Sequence, residues 1–333
     1  GYVRPELSIL LAYSKMHLYQ SLLDSEVPDQ DAAQVFLKQY FPEKTRTRYA
    51  AQIGNHPLKR EIIATMMTNR VVDQAGCAFL NTLVRQAGAT MVQGVAAYLV
   101  FDEVLDGAAI RGRIMAADNK MSASRQYELL LDLEKALAGL CSQVIEQGLP
   151  ISLDKSCVKN YRQRLETFRT HLEELLPADE WQLCKDAADA LTEEGFPAGM
   201  ALEMTSFRYL AGFLPAVYIA ENTGADLLSV TTAMAKMRLR LKTAQVMESL
   251  RDFSSHDKWD RMAIANLQSA FVRQAVNLTR IVVTEGVDAE SFLAGKRQRV
   301  NYYLDLLESL KSSPPTSTSP YMVLLRALES IED

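Results

Sequence analysis

Apolar residues recur every three or four positions along almost the whole chain, and this spacing constrains the fold more than any other feature. Such steps place side chains on one face of a helix. The clearest stretch has six of them: Val158, Tyr161, Leu165, Phe168, Leu172 and Leu175. Period-two runs of β-branched residues between turn signals, which are typical of strands, are nearly missing. The sequence therefore predicts an all-α fold, a multi-helix bundle array with no substantial β-sheet.

Prolines and glycines place the ends of the predicted helices. Pro5 favours a helix start, because a proline in the first turn loses no hydrogen bond. That helix is expected to run to about Asp24 with its leucines inward: Leu7, Leu10, Leu11, Leu18 and Leu22. Pro57 is expected to open a helix that Gly76 stops, and Pro215 to break one over 199–221. Other helices are expected at about 29–40, 42–54, 89–105, 121–147, 154–176, 178–193, 225–252, 257–284, 288–311 and from Pro320 onward, after an exposed loop at 312–319.

The second half of the chain resembles the first when the two are aligned. Gly88-Ala89 matches Gly224-Ala225, and Gly148 matches Gly286. Apolar positions between these glycines also correspond: Val92, Tyr98, Phe101, Leu105, Leu129, Leu133, Leu140 and Val144 match Leu228, Met234, Met237, Leu241, Leu267, Phe271, Leu278 and Val282. The alternative is that any two amphipathic helices can be aligned.

The glycine stops recur in the same order, which favours an internal repeat. We predict a helical lead-in at 1–76, a first helical unit at 77–195 and a second at 196–333. The repeat itself is aligned over 77–195 and 213–333, and the two copies are expected to pack against each other.

Composition excludes several classes of function. The net charge is −5, which gives no broad electrostatic reason to bind nucleic acid or an anionic membrane. The cluster of Arg238, Arg240 and Lys242 is interpreted as a solvated helix face. Neither a membrane-spanning run nor a signal peptide is expected. The four cysteines and four histidines are scattered and show no metal-ligand spacing: Cys77, Cys141, Cys157, Cys184, His17, His56, His171 and His256. Such single cysteines indicate a reducing compartment, the cytoplasm.

Motifs that carry chemistry are missing from the sequence. Gly107 and Gly112 are too far apart for a dinucleotide-binding turn, and no phosphate-binding loop or nucleophile elbow is present. Asp102, Glu103 and Asp106 could form an acidic spot, but Asp106-Gly107 also makes a good helix end. We assign no catalytic, cofactor-binding or metal-binding residue.

Weaker candidates have a structural interpretation beside a functional one. In Asp118-Asn119-Lys120, Asp118 or Asn119 is expected to cap the following helix, although Lys120 could contact a ligand. Adjacent acidic pairs are interpreted as solvated helix faces: Glu173-Glu174 and Glu193-Glu194. Two aromatic runs could mark a partner surface: Tyr302-Tyr303 and Phe207-Arg208-Tyr209. On a helix, however, one of two nearby aromatic residues usually lies in the core. Met234 and Met237 suit either an irregular contact surface or core filling.

Three segments are similar to the large bacterial NAD-specific glutamate dehydrogenases. The first is residues 3–24, which open with Arg4-Pro5-Glu6-Leu7. The second is residues 40–72, with Tyr40-Phe41-Pro42 and His56-Pro57-Leu58-Lys59. The third is residues 118–131, with Asp118-Asn119-Lys120 ahead of Gln126-Tyr127-Glu128-Leu129. The resemblance is dense over about 1–135, and several fixed Pro, Arg and aromatic positions make it specific.

The resemblance implies a parent enzyme that oxidatively deaminates L-glutamate to 2-oxoglutarate and ammonium with NAD. In that family the NAD-binding catalytic domain lies upstream of the helix that residues 3–15 resemble. The resemblance therefore assigns no catalytic or cofactor-binding residue to this chain. The expected role of this chain is a C-terminal scaffold, oligomerisation or regulatory domain, with no cofactor of its own and no turnover alone. Its expected partners are the upstream catalytic domain and further copies of the chain. A helix beginning at once at Arg4-Pro5 fits a piece of a longer protein.

Two alternatives stay open. One is a free-standing helical interaction module, and the other is an α-helical enzyme with a pocket of its own.

Overall fold

The computed structural model describes residues 3–118, 120–253, 257–312 and 317–332, which form helices and turns with no strand among them. The all-α prediction is confirmed for this part of the chain. The residues form two compact units, with residues 1–166 and 179–214 in unit 1 and residues 167–178 and 215–333 in unit 2. Asn119, His256 and the centre of the Ser/Pro loop, 313–316, lie outside the described residues.

Unit 1 begins with a long helix followed by a series of shorter ones. Its first helices are α1 (Arg4–Leu23), α2 (Gln34–Tyr40), α3 (Glu43–Arg48), α4 (Ala50–Gly54), α5 (Lys59–Ala75) and α6 (Phe79–Gln86). Both α1 and α2 pack on α5, whose buried stripe includes Ile63 and Met67. Gly76 ends α5 with φ 85°, a left-handed conformation that favours glycine.

The apolar face of α1 is only partly covered within unit 1. Leu18 and Leu22 are buried, with 2% and 0% of their surface exposed. Leu7, Leu10 and Leu11 are 48%, 43% and 37% exposed. The prediction that all five leucines point inward is therefore wrong for the first three. Periodicity identifies an apolar stripe but does not show which part of it has a neighbour.

The rest of unit 1 is built around a central helix, α9, and leads into unit 2. Its helices are α7 (Met91–Val104), α8 (Gly107–Ala116), α9 (Ala123–Glu146), α10 (Lys155–Thr170), α12 (Ala178–Glu193) and α13 (Ala198–Thr205), while α11 (Leu172–Leu175) belongs to unit 2. A 3-10 segment, Ser206–Gly212, separates α13 from α14 (Phe213–Thr223). The interruption predicted for 199–221 is thus present, but it precedes Pro215, which lies in the first turn of α14.

Unit 2 contains a second set of helices with its own core. Besides α11 and most of α14, they are α15 (Leu227–Arg240), α16 (Thr243–Asp252), α17 (Lys258–Glu285), α18 (Ala289–Gly295), α19 (Arg297–Ser312) and α20 (Ser319–Glu329). Phe271, Leu278, Tyr303 and Leu324 are at most 2% exposed and belong to one apolar cluster. The hydroxyl of Tyr303 donates to the carbonyl oxygen of Leu241 at 3.0 Å, which satisfies a polar group inside that cluster.

Special backbone conformations recur at matching places in the proposed repeat. Asp106 between α7 and α8 has φ 51°, and Lys242 between α15 and α16 has φ 49°. Gly148 after α9 has φ 62°, and Gly286 after α17 has φ 65°. Left-handed residues other than glycine are uncommon, so the pairing of Asp106 with Lys242 supports the repeat. The repeat and its boundaries stay a prediction.

Candidate functional site

A buried group of charged side chains lies in unit 1 between α7, α8 and α9. Arg111 on α8 contacts Asp102 of α7 through Nη1 and Glu134 of α9 through Nη2, each at 2.5 Å. The side chains of Arg111 and Asp102 are both 6% exposed, and that of Glu134 is 18% exposed. Removing charges from water is costly unless they are paired, so this group depends on its internal contacts.

Tyr98 of α7 completes the arrangement and is fully buried. Its hydroxyl donates to Oε2 of Glu134 at 2.9 Å and accepts from Nη2 of Arg111 at 2.9 Å. Burial, followed by the nearby charge of Glu134, raises the pKa of Tyr98 far above its usual value. Burial alone would lower the pKa of Arg111, but the interactions with Asp102 and Tyr98 and the hydrogen bonds to Glu134 and Asp102 together outweigh burial and raise that pKa. Tyr98 therefore stays neutral and Arg111 stays charged at ordinary pH.

The local sequence explains why these groups meet. Tyr98 and Asp102 are four residues apart on α7 and so share one helix face. Asp106 then adopts a left-handed conformation, which turns the chain within two residues and starts α8 at Gly107. A Cβ atom on Gly107 would lie 2.1 Å from Oδ1 of Asp102. Only glycine fits beside the pair of Asp102 and Arg111 at this corner.

Two further side chains border the group. Nε of Arg70, on α5, lies 3.6 Å from Oδ2 of Asp102, so the lead-in helices are tied to α7 by charge. Cys141 lies seven residues after Glu134 on α9 and is fully buried. Burial, followed by the charges of Glu134 and Asp102, raises the pKa of the Cys141 thiol well above its usual value. Cys141 is therefore a neutral packing residue rather than a nucleophile.

The group is satisfied by its own members. Nε, Nη1 and Nη2 of Arg111 all donate to Asp102, Glu134 or Tyr98. The network therefore joins three helices and has the character of a structural junction. In the predicted repeat, the positions aligned with Tyr98, Asp102, Arg111 and Glu134 hold Met234, Arg238, Met247 and Val272, so the network is specific to the first half of the chain.

The acidic residues considered from sequence do not form one acidic spot. Asp102 points into the Arg111 network. Oδ1 of Asp106 accepts from Nη2 of Arg162 at 3.0 Å, and the same nitrogen bonds the carbonyl oxygen of Glu103. The alternative interpretation of Asp106-Gly107 as a helix end is confirmed. Arg111, Glu134 and Tyr98 were missed, because they are far apart in sequence and belong to otherwise ordinary helical patterns.

The helix after Asp118-Asn119-Lys120 is capped by another residue. Oγ of Ser122 accepts from the backbone N–H of Arg125 at 3.3 Å, and α9 begins at Ala123. The prediction that Asp118 or Asn119 caps this helix is wrong in the case of Asp118, and Asn119 lies outside the described residues. Lys120 is exposed, and its role as a ligand contact stays a hypothesis.

The aromatic pairs behave as expected for helices. Tyr303 is fully buried while Tyr302 is 55% exposed, and Phe207 is buried at 7%. Met237 is buried at 1%, and Met234 packs against a small apolar cluster of unit 2, so both methionines fill a core. The acidic pairs are exposed: Glu173, Glu174, Glu193 and Glu194.

Surface grooves occur in both units. One on unit 1 has a volume of about 520 Å³, with Arg125 and Arg208 beside apolar residues such as Leu191 and Phe207. One on unit 2 has a volume of about 700 Å³ and is lined by residues including Tyr302 and Arg326. Among the described residues no three His, Cys, Asp or Glu side chains are placed to hold a metal ion. Within the same part of the chain, no helix has both the length and the apolarity to cross a membrane.

Comparison with known proteins identifies a family whose model matches almost the whole chain. The family model described as "Glutamate dehydrogenase, C-terminal" matches residues 1–330. The NAD-specific glutamate dehydrogenase of Halomonas elongata is 26% identical over 310 residues, 93% of this chain and 19% of that protein. Those of Mycobacterium tuberculosis and Pseudomonas aeruginosa are 27% and 25% identical, each over 79% of this chain and 16% of the relative.

The chain thus spans less than a fifth of the length of these relatives. The family match extends through the second half, where the quoted motifs are thin, and it includes the repeat region. This chain belongs to the C-terminal glutamate dehydrogenase family.

Proposed function

We propose that this chain is the helical scaffold of an NAD-specific glutamate dehydrogenase. The parent reaction is the conversion of L-glutamate, NAD and water to 2-oxoglutarate, ammonium and NADH. The observation that carries the proposal is the family match over residues 1–330. The relatives named NAD-specific glutamate dehydrogenase are also more than five times longer than the region that matches this chain.

In this proposal the chemistry resides in the remainder of the parent enzyme. NAD binds there, and the present chain carries no cofactor and has no turnover alone. Its charged network supports this assignment, because Arg111, Asp102 and Glu134 bond one another and join helices. The scaffold buries apolar surface against the catalytic domain and supplies contacts between copies in a homo-oligomer. Regulation of domain closure is a second role, since contacts that differ between two states shift their populations.

The setting proposed for the enzyme is the bacterial cytoplasm. Cys141 and Cys184 are buried free thiols, and Cys77 and Cys157 are free as well. Thiols of this kind suit a reducing compartment. The acidic net charge of −5 also fits a protein whose partners are other polypeptides rather than nucleic acid.

The test uses the full-length parent enzyme with and without residues 77–333. Loss of assembly, with weak or absent glutamate oxidation, is the expected result. A truncated enzyme that assembles and turns over like the full-length form would contradict the scaffold role. In parallel, the 333-residue chain is titrated with NAD and with L-glutamate by calorimetry. We expect no heat of binding, and a micromolar dissociation constant for either would place part of the chemistry here. A native gene with no dehydrogenase domain would instead favour the free-standing interaction module.

A further inference from the structure

The first three turns of α1 are apolar and uncovered. Large apolar side chains that are between 37% and 66% exposed follow one another closely there: Leu7, Ile9, Leu10, Leu11, Tyr13 and Met16. Scattered exposed apolar residues are normal on a protein surface, but a contiguous set of this kind marks an interaction site. We call these six residues the α1 patch.

The α1 patch covers opposite sides of the helix. Leu7 and Leu11 continue the stripe that is buried further along at Leu18 and Leu22. At 100° per residue, Ile9, Tyr13 and Met16 fall on the far side of that stripe. Apolar side chains on two opposite sides of a helix indicate burial on both of those sides. Covering one face would therefore leave the other face of this segment exposed.

Unit 1 covers one face of α1 from Lys15 onward. Nζ of Lys15 lies 2.8 Å from Oδ1 of Asn69 and 2.6 Å from Oδ1 of Asp73, both on α5. Leu18 and Leu22 are buried beyond that point. Lys15 thus marks where unit 1 begins to cover the Leu18 and Leu22 face of α1, while Met16 on the opposite face stays 64% exposed.

We propose that the α1 patch inserts into an apolar groove of the remaining polypeptide of the parent enzyme. The proposal rests on the proposed function and names the surface that α1 contacts in the parent enzyme. The relatives have more than four fifths of their length outside the matched region, which provides enough surface to enclose a helix on several sides. A groove in the same polypeptide also keeps the effective concentration of the two surfaces high.

Two other occupants fit the patch less well. A second copy of the chain would meet it through a two-fold contact between identical faces, which covers one side of the helix and leaves the other bare. A membrane surface favours helices with a cationic polar face opposite the apolar one. Here Ile9, Tyr13 and Met16 occupy the opposite face, and Lys15 is engaged with Asp73.

The first experiment needs no substitution. Amide hydrogen exchange of residues 5–16 is compared between the 333-residue chain and the full-length parent enzyme. Burial of the patch predicts exchange that is slower by about tenfold or more in the parent. Equal exchange in the two forms would overturn the proposal, whatever the truncation at residue 77 shows about the scaffold role.

The second experiment uses matched double variants. Ile9→Glu with Tyr13→Glu places charges on α1 at positions that are 56% and 66% exposed. Tyr127→Glu with Leu131→Glu on α9 is the control, since it has the same spacing and exposures of 67% and 56%. In the 333-residue chain both pairs should have similarly small effects on the urea midpoint. In the parent enzyme only the α1 pair should lower the melting temperature and speed exchange at 5–16.

The rival occupants give different results. A concentration-dependent dimer of the 333-residue chain that the α1 pair abolishes and the control pair preserves would assign the patch to a second copy. Binding to anionic lipid vesicles that the α1 pair abolishes would assign it to a membrane. Either result would overturn the proposal, and so would equal behaviour of the two double variants in the parent enzyme.

Discussion

Nη1 of Arg111 lies 2.5 Å from Oδ1 of Asp102, and both side chains are 6% exposed. Arg111→Ala would leave Asp102 and Glu134 buried together without their shared cation. Removing one partner of a buried pair costs about 3–5 kcal/mol of unfolding free energy. We therefore expect Arg111→Ala to lower the midpoint of urea unfolding of unit 1 strongly, as measured by circular dichroism and by tryptophan fluorescence.

The control is an ion pair on the surface of unit 2. Arg240 bonds Glu290 at 2.5 Å, but the two side chains are 58% and 51% exposed. Solvent screens such pairs, so Arg240→Ala should change the unfolding midpoint little. Equal losses for Arg111→Ala and Arg240→Ala would contradict the structural role of the buried network.

Gly107 and Gly112 provide a test within a single helix. A Cβ at Gly107 would approach Oδ1 of Asp102 to 2.1 Å, whereas a Cβ at Gly112 would meet nothing within 4 Å. Gly107→Ala should destabilise the chain by about 1–3 kcal/mol, as overpacking does. Gly112→Ala should be neutral or stabilise it by up to about 1 kcal/mol, because alanine is the better helix former. Thermal unfolding of the two variants distinguishes these outcomes. A Gly107→Ala chain as stable as the unchanged chain would contradict the prediction, because it would show that α7 and α8 can move apart to accommodate a Cβ atom.

The buried thiol of Cys141 should make the stability of the chain depend on pH in the alkaline range. Its thiol pKa is raised by burial and by Glu134 and Asp102, so the unfolded chain loses this proton first as pH rises. The stabilising contribution is complete below the unfolded thiol pKa of about 8.5 and declines above it. Urea midpoints should therefore fall as pH rises from about 8.5 to about 10, and Cys141→Ala should reduce that fall. Cys157→Ala is the control, and identical pH profiles for both variants would exclude Cys141 as a source.

The cap of α9 can be checked by a change of one oxygen atom. Ser122→Ala removes the acceptor for the N–H of Arg125 and should cost about 1 kcal/mol. Ser124→Ala, at an exposed position in the first turn of the same helix, should cost less. Hydrogen exchange at Arg125 measures the difference directly, and it should rise only in Ser122→Ala.

Local pattern was enough to predict the helical class and many helix ends. Gly76, Gly148 and Gly286 stop helices with positive φ, as expected from their place after apolar stripes. Pattern was not enough for α8, whose sequence between Gly107 and Ala116 lacks a clear apolar periodicity. Ile110 and Ile114 are nevertheless buried, at 1% and 0% exposure, because α8 packs against α7 and α9.

The charged network shows the same limit more sharply. Tyr98 and Asp102 share a helix face, and this spacing was the one available signal. Arg111 and Glu134 join them only after the chain has turned at Asp106 and again before Ser122. Distances along the chain do not show which charge will neutralise which, so an acidic spot that included Asp102 stayed one of two alternatives. The prediction that the leucines at the start of α1 are buried was wrong for a related reason. The sequence shows an apolar stripe but not how far along it a neighbouring helix extends.

The left-handed conformation of Asp106 allows a very short connection between α7 and α8. Only Leu105 and Asp106 separate α7 from α8, and Lys242 occupies the like position between α15 and α16. Inserting or deleting a single amino acid there would rotate the following helix by about 100° about its axis. Ile110 would swing toward water and the guanidinium of Arg111 would leave its carboxylates. Exposed positions along these helices can therefore tolerate substitution, but the number of residues through each corner must stay fixed.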